Sequence, residues 1–304
     1  MSRVCQAIGE EFTAWSARRL DALELEYLFL DASMFKMHPG ARAEPVLAAW
    51  GITTDGAPVF VALTAGGSES TDAWGDFLDE LRARGLRPPL LVISDGAAGL
   101  IAAAETALPR SLRQRCLIHR CRNVLAKVPA EAQAEIREAY WALFDTDDLI
   151  AAGAAPGPGL VAAVQGRIDA FAAQYARVFP AAVKCLLADR QQLTSYLRFP
   201  IGHHRRIRHS NFIERTFGET RSAFANQGRA VGAPSSSICV ASASRLHQFY
   251  LADRKAKFRS GGCYYHHCQL VPRGLTCRMA QSSKRRRWEW GSSWPGRRGS
   301  SELP

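Results

Sequence analysis

The sequence predicts an α/β fold, a mixed sheet flanked by helices, on three observations. Two apolar runs, Tyr27-Leu28-Phe29-Leu30-Asp31 and Leu90-Leu91-Val92-Ile93-Ser94-Asp95-Gly96, have the length and continuity of buried strands, and each delivers a carboxylate. Between them, residues 46–50 and 59–63 are β-type runs flanking Thr54-Asp55-Gly56, and Asp-Gly between such runs is a strong hairpin signal. Beyond residue 66 the apolar spacing alternates between that of helices and that of short strands.

Taken in order, residues 1–25 carry Ile8, Phe12 and Trp15 at helical spacing and predict one amphipathic helix leading into the first strand. After the third strand, Gly66-Gly67-Ser68-Glu69-Ser70 is a loop. Ser70 or Thr71 caps a helix that buries Trp74, Phe77, Leu78 and Leu81 and stops at Gly85. Pro88-Pro89 resets the chain into the strand ending at Asp95. Residues 97–108 predict an alanine-rich helix, 114–118 a short strand, and 119–128 a helix stopped by Pro129. Three strands in a meander followed by α-β-α-β-α point to a ribonuclease-H-like mixed sheet core. From residue 129 to 199 only helical periodicity remains, over 131–144, 160–179 and 181–197, with a Gly/Pro/Ala connection at 151–159. The predicted domain map is therefore an N-terminal helix at 1–26, a ribonuclease-H-like core at 27–128 and an all-helical insertion at 129–202. A basic segment and helix follow at 203–230, then a largely irregular basic C-terminal tail at 231–304.

The chain has 304 residues, 47% apolar, with a net charge of +11 and a pI near 9.6, which favours a polyanionic partner such as nucleic acid. Most of that excess lies after residue 250, where Lys and Arg, including Lys284-Arg285-Arg286-Arg287, far outnumber Asp253, Glu289 and Glu302. No signal-peptide pattern opens the chain. The longest apolar candidate for a membrane span, 149–164, is broken by Pro156 and Pro158, so no membrane role is expected. The eight cysteines form no regular framework in the first 200 residues, which makes a reducing cytoplasm the default setting.

Two strands that each present an Asp place carboxylates at a sheet edge, where paired acids bind hard divalent cations through oxygen. The structural alternative for Asp95 is a cap on the following helix. Farther along, His203-His204-Arg205-Arg206-Ile207-Arg208-His209 precedes Asn211-Phe212-Ile213-Glu214-Arg215, where Glu214 is either a third acid or the far half of a capping box begun by Asn211. Arg205, Arg206 and Arg208, with Arg215 and Arg221 beyond, would lay cations beside the acids and neutralise phosphates; a solvated helix face is the alternative. Cys116-Leu117-Ile118-His119, with Cys121, offers zinc ligands without the companion pair that a structural site needs, and Cys263, His266, His267 and Cys268 resemble a zinc knuckle only with irregular spacing. Trp74 and Trp141 read as core residues rather than base-stacking platforms.

Five strings occur here in one order: Leu30-Asp31-Ala32; Glu69-Ser70 with Trp74; Ser94-Asp95-Gly96 with Gly99-Leu100; Gln114-Arg115-Cys116-Leu117-Ile118-His119 with Arg122-Asn123; and Asn211-Phe212-Ile213-Glu214-Arg215. In that order, over residues 27–221, the chain resembles the Mutator-type DDE transposases of bacterial insertion sequences. The resemblance implies a catalytic core whose metal-binding acids are Asp31, Asp95 and Glu214, with Cys116 and His119 as accessory residues near the site. It also implies Mg2+, replaceable by Mn2+, as cofactor. DNA at the element ends and at the target would be the partner, with a homo-oligomer as the active form at the bacterial nucleoid. Two such ions, about 3.5–4 Å apart, clamp the attacking and leaving oxygens of an in-line displacement.

Against the family pattern, only thirty residues precede Asp31, so recognition of terminal repeats is expected to be impaired. The tail after about Ser222 lacks a sustained period, as a shifted reading frame of a decaying element would produce. The alternative reading is a catalytically inactive remnant that binds DNA or dimerises; a ribonuclease-H-like nuclease outside transposition is a third.

Overall fold

The computed structural model describes residues 3–35, 42–210, 213, 214, 217 and 218, with backbone alone for 3–8. The first helix, α1 (Arg3–Ala17), lays Phe12 and Trp15 on the core, Trp15 stacking on Phe60 at 5.3 Å. The sheet has five strands, β1 (Leu25–Phe35), β2 (Glu44–Thr53), β3 (Pro58–Ala65), β4 (Leu91–Ser94) and β5 (Leu112–Arg115), in the order β3-β2-β1-β4-β5. The first three form an antiparallel meander, and β4 and β5 add on parallel to β1. This is the ribonuclease-H-like arrangement. The Asp-Gly hairpin forms as expected, with Gly56 at φ +79° and its N–H donating to Thr53 O at 2.8 Å.

Strand period 2 divides the sheet into two faces. Leu28, Leu30 and Val92 face α2 (Thr71–Ala83) and α3 (Ala98–Ala107), packing with Trp74, Phe77, Leu81 and Leu100. Tyr27, Phe29, Leu91 and Ile93 face α4 (Leu117–Leu125) and the helices that follow. Leu28, Phe29 and Leu30 are all fully buried, and each such side chain contributes roughly 2 kcal/mol. Ser70 caps α2 by accepting from Ala73 N at 3.2 Å, and Gly85, at φ +98°, ends it.

The helical block contains α5 (Gln133–Leu143), α6 (Asp147–Ala151), α7 (Pro158–Tyr175), α8 (Pro180–Leu187) and α9 (Ile201–Ile207), with 3₁₀ turns at Ala130–Ala132 and Ser195–Arg198. None of the described helices is long and apolar enough to cross a membrane.

Three sequence expectations need correction. The first strand does not end at Asp31 but runs on to Phe35, because β2 keeps pairing with it as far as Phe35↔Glu44 after β4 has stopped. The fifth strand is Leu112–Arg115 rather than 114–118, and the next helix starts at Leu117, since Leu117 N turns away to donate to Arg208 O at 3.0 Å. The helix expected over 181–197 ends at Leu187. The following segment instead lies along the open edge of β5, where Gln192 O accepts from Arg115 N at 3.0 Å. The Gln114 carboxamide fastens it there, donating to Leu193 O at 3.3 Å and accepting from Tyr196 N at 2.8 Å. An edge strand left bare would carry unpaired backbone groups, and covering it outweighs helical periodicity.

Glu26, half-buried at the start of β1, has its carboxyl pushed up to about 7 by burial, against a hydrogen bond with Tyr27. A carboxyl raised in the folded state costs stability as pH rises from about 4.5 through 7. Glu26→Gln is therefore expected to match the wild type in thermal unfolding near pH 4.5 and to melt higher at pH 8. A constant difference across that range would contradict this.

Candidate active site

The parallel register places Leu30, Ser94 and Arg115 in one row across β1, β4 and β5. The next residue of each chain is Asp31, Asp95 and Cys116, so all three stand at the same end of the sheet. Cys116 N continues the row by donating to Ser94 O at 2.8 Å. Because β4 stops at Ser94 while β1 continues, Asp31 sits inside a strand at the point where its parallel neighbour is gone. It is on the Phe29 side of the sheet and 5% exposed.

Among the described residues Asp31 has no cationic side chain bonded to it; its Oδ1 accepts from Ala32 N at 2.9 Å. Burial pushes its carboxyl up to about 8, with His119 opposing and the charges of Asp95 and Glu214 adding to the rise. Asp95 is half-buried, and its Oδ1 accepts from Ala97 N at 3.1 Å, closing a turn over 95–97.

Glu214 is bound on two sides. His119 Nε2 lies 2.9 Å from its Oε1, and Arg122 forms a fork, Nη1 to Oε1 at 3.0 Å and Nη2 to Oε2 at 3.2 Å. The His119 hydrogen bond, then Arg122, hold its carboxyl down at about 2 despite burial. His119 is correspondingly raised to about 10, first by Cys116 and then by Glu214. Burial alone would raise the Cys116 thiol, but the hydrogen bond and charge of His119 outweigh it and lower it. Cys116 Sγ also accepts from Ser210 N at 3.4 Å and Ser210 Oγ at 3.5 Å. Cys116, just ahead of α4, and His119 on it are thus linked to Glu214.

The basic residues separate. Arg205 and Arg206 on α9 are exposed, Arg205 within 3.9 Å of exposed Asp147. Arg208 is turned inward, its guanidinium 5.9 Å from the Trp141 ring and interacting with Tyr196. Arg215 and Arg221, the cap position Asn211 and the whole region 231–304 lie outside the described residues.

Three residues escaped the sequence reading. Arg122 pairs with Glu214; Glu69 has its carboxyl raised by burial and then by Asp95; Arg115 is buried beside Asp95. The signal for each was its place in a matched string, which says nothing of what it touches.

The donor set fits a hard divalent ion at the two aspartates. Both offer oxygen, and Asp31 is a buried acid with no cationic side chain bonded to it among the described residues. Glu214 fits less directly, because both of its oxygens already have donors. Among the described residues no group of three or more His, Cys, Asp and Glu is arranged to hold a metal ion as the side chains stand.

A sequence model described as "Transposase, Mutator family" matches residues 1–230. The transposase for insertion sequence element IS6120 of Mycolicibacterium smegmatis is 30% identical over 73% of this chain and 65% of its own length. That for IST2 of Acidithiobacillus ferrooxidans is 34% identical over 70% and 68%, and that for ISRM5 of Rhizobium meliloti 30% over 73% and 53%. The chain thus spans between about half and two thirds of the length of these relatives. Among solved structures, the HTLV-2 integrase catalytic core domain in complex with magnesium (dimeric form) matches at 15% identity and a TM-score of 0.22, over 42% of this chain and 91% of that one.

Proposed function

Because the chain belongs to the Mutator family of transposases, we propose that it is the catalytic part of a DDE-type enzyme that cleaves DNA at insertion-sequence ends and transfers the freed strand to target DNA. Asp31, Asp95 and Glu214 are the acids of this reading, Mg2+ or Mn2+ the cofactor, and a homo-oligomer at the bacterial nucleoid the working form. The observation that carries it is the register of β1 against β4, which brings two acids far apart in sequence to adjacent strand positions, one of them buried.

The chain's own residues have distinct tasks. Asp31, on the central strand, would hold a divalent ion only with its carboxyl deprotonated, so holding one would be favoured by rising pH. Asp95 presents its carboxylate from the turn over 95–97. His119 holds Glu214 within the electrostatic reach of Asp31, and Arg122, whose side chain is 60% exposed, offers a cation beside Glu214 to an approaching phosphate. Arg205 and Arg206 extend that positive surface along α9. The bound ions, when present, stabilise charge on the attacking and leaving oxygens.

Supercoiled plasmid incubated with the full chain and Mg2+ or Mn2+ is expected to be nicked, and Asp95→Asn is expected to abolish nicking while leaving DNA retention intact. Retention without nicking by the unsubstituted chain would favour the inactive remnant, and selective cutting of RNA–DNA hybrids the nuclease.

A further inference from the structure

We propose that Arg115 is a positioning residue of the acid site: its buried guanidinium, tied to Asp189 of the helical block, seats against Gly96 and holds the turn that presents Asp95. The inference rests on the reading of Asp31 and Asp95 as a metal-binding pair.

Arg115 ends β5 and is 2% exposed. Its Nε lies 3.0 Å from Asp189 Oδ2, out of line for a hydrogen bond, and its Nη1 has no hydrogen-bond partner. Neutralising Asp189 does not require it. Arg120 already binds that carboxylate through Nη2 and anchors itself with Nη1 on Cys185 O at 2.8 Å. A second arginine on the same acid adds like-charge repulsion and a desolvated cation, and both depress the Arg115 pKa while Asp95 opposes them. Stability alone would favour an apolar residue here, so an explanation lies at the other end of the side chain.

That end meets Gly96. A Cβ on Gly96 would stand 2.2 Å from Arg115 Cζ and Nη2 and 2.7 Å from Nε. Gly96 is not among the described glycines with positive φ, so the missing side chain answers to the guanidinium rather than to backbone strain. Gly96 is also the middle residue of the turn closed by Ala97 N on Asp95 Oδ1. The guanidinium therefore presses on the element that aims the Asp95 carboxylate. Its own main chain is fixed by Arg115 N on Gln192 O at 3.0 Å. A continuous path runs from the segment after α8, through Asp189 and Arg115, to Asp95.

The test is Mn2+ binding to the full chain, metal-free at the start, by titration calorimetry, with folding followed by circular dichroism. Arg115→Lys keeps the charge and can still reach Asp189 but lacks the planar fork, so it is expected to bind Mn2+ about tenfold more weakly. Gly96→Ala is expected to weaken binding similarly, and to add nothing in an Arg115→Met background, where the obstructing guanidinium is gone. That cycle decides the matter if Arg115→Lys does not fold. Wild-type Mn2+ affinity in Gly96→Ala and in folded Arg115→Lys, with only a lowered melting temperature, would assign Arg115 a purely structural role and overturn the proposal. Asp95→Asn separates the two levels. If it binds Mn2+ like the wild type, the metal site itself is misassigned and the proposal falls with it. If it does not bind while Arg115→Lys does, only the positioning role fails.

Discussion

Asp31→Asn is expected to abolish strand cleavage, by at least about 10³-fold, since residues that act as one catalytic unit lose nearly everything with any one member. The same substitution is expected to make the metal-free protein more stable at alkaline pH. Asp31 titrates near 8 in the fold against an ordinary 3.8, so the folded chain retains a proton that the unfolded chain releases between those values. Stability is therefore lost as pH rises from about 4 to about 8, by an amount on the order of a few kcal/mol. Asn has nearly the same shape and no charge to desolvate. In EDTA the variant and the wild type should melt together near pH 4 and diverge by pH 8.5, with the variant higher. Adding Mg2+ should raise the wild type by mass action and leave the variant unmoved. A variant that still cleaves, or a melting difference independent of pH, would remove Asp31 from the site.

Asp189→Ala carries the largest expected effect on stability. Its carboxylate is the shared counter-charge of Arg115 and Arg120, whose side chains are 2% and 9% exposed. Removing it leaves two buried guanidinium groups facing each other without a bonded anion, with Asp95 alone opposing their repulsion from the Arg115 side. Breaking a buried pair from one side costs about 3–5 kcal/mol, which for a domain of this size lowers the melting temperature by roughly 10 °C. Differential scanning calorimetry is the direct check; a fall of only a degree or two would mean that water already reaches the pair. Asp189→Asn should fall between, because it keeps the hydrogen-bond acceptor and loses the charge.

The same network shows where sequence reading stops. Pattern and local chemistry were sufficient for the meander, the Asp-Gly hairpin, the Ser70 cap and the Gly85 stop, since each depends on residues within a few positions of one another. They were also sufficient for Asp31 and Asp95 as candidates, because a buried apolar strand that delivers a carboxylate is unusual enough to be noticed without a partner in view. Glu214 was ambiguous on local grounds, between cap and third acid. Its partners His119 and Arg122 come from α4 and lie far from it in the chain. Arg208 read as a phosphate contact and turns out to lie over Trp141. The helix expected across 181–197 fails at Leu187 for a similar reason, since periodicity registers which residues prefer burial and is blind to the bare edge of β5 that the chain covers instead.

By itself, then, the sequence determined the order of the five strands and the helices between them, the turns that join them and two aspartates as candidates, all of which follow from propensities and short-range hydrogen bonding. Only the tertiary structure decided which charges meet: Arg115 and Arg120 with Asp189, Arg122 and His119 with Glu214, and Asp31 with His119 across space. The physical reason is that a charge takes its energy from the distance to its partner and from the water excluded around both, and neither quantity exists until the sheet and the helical block have closed on each other.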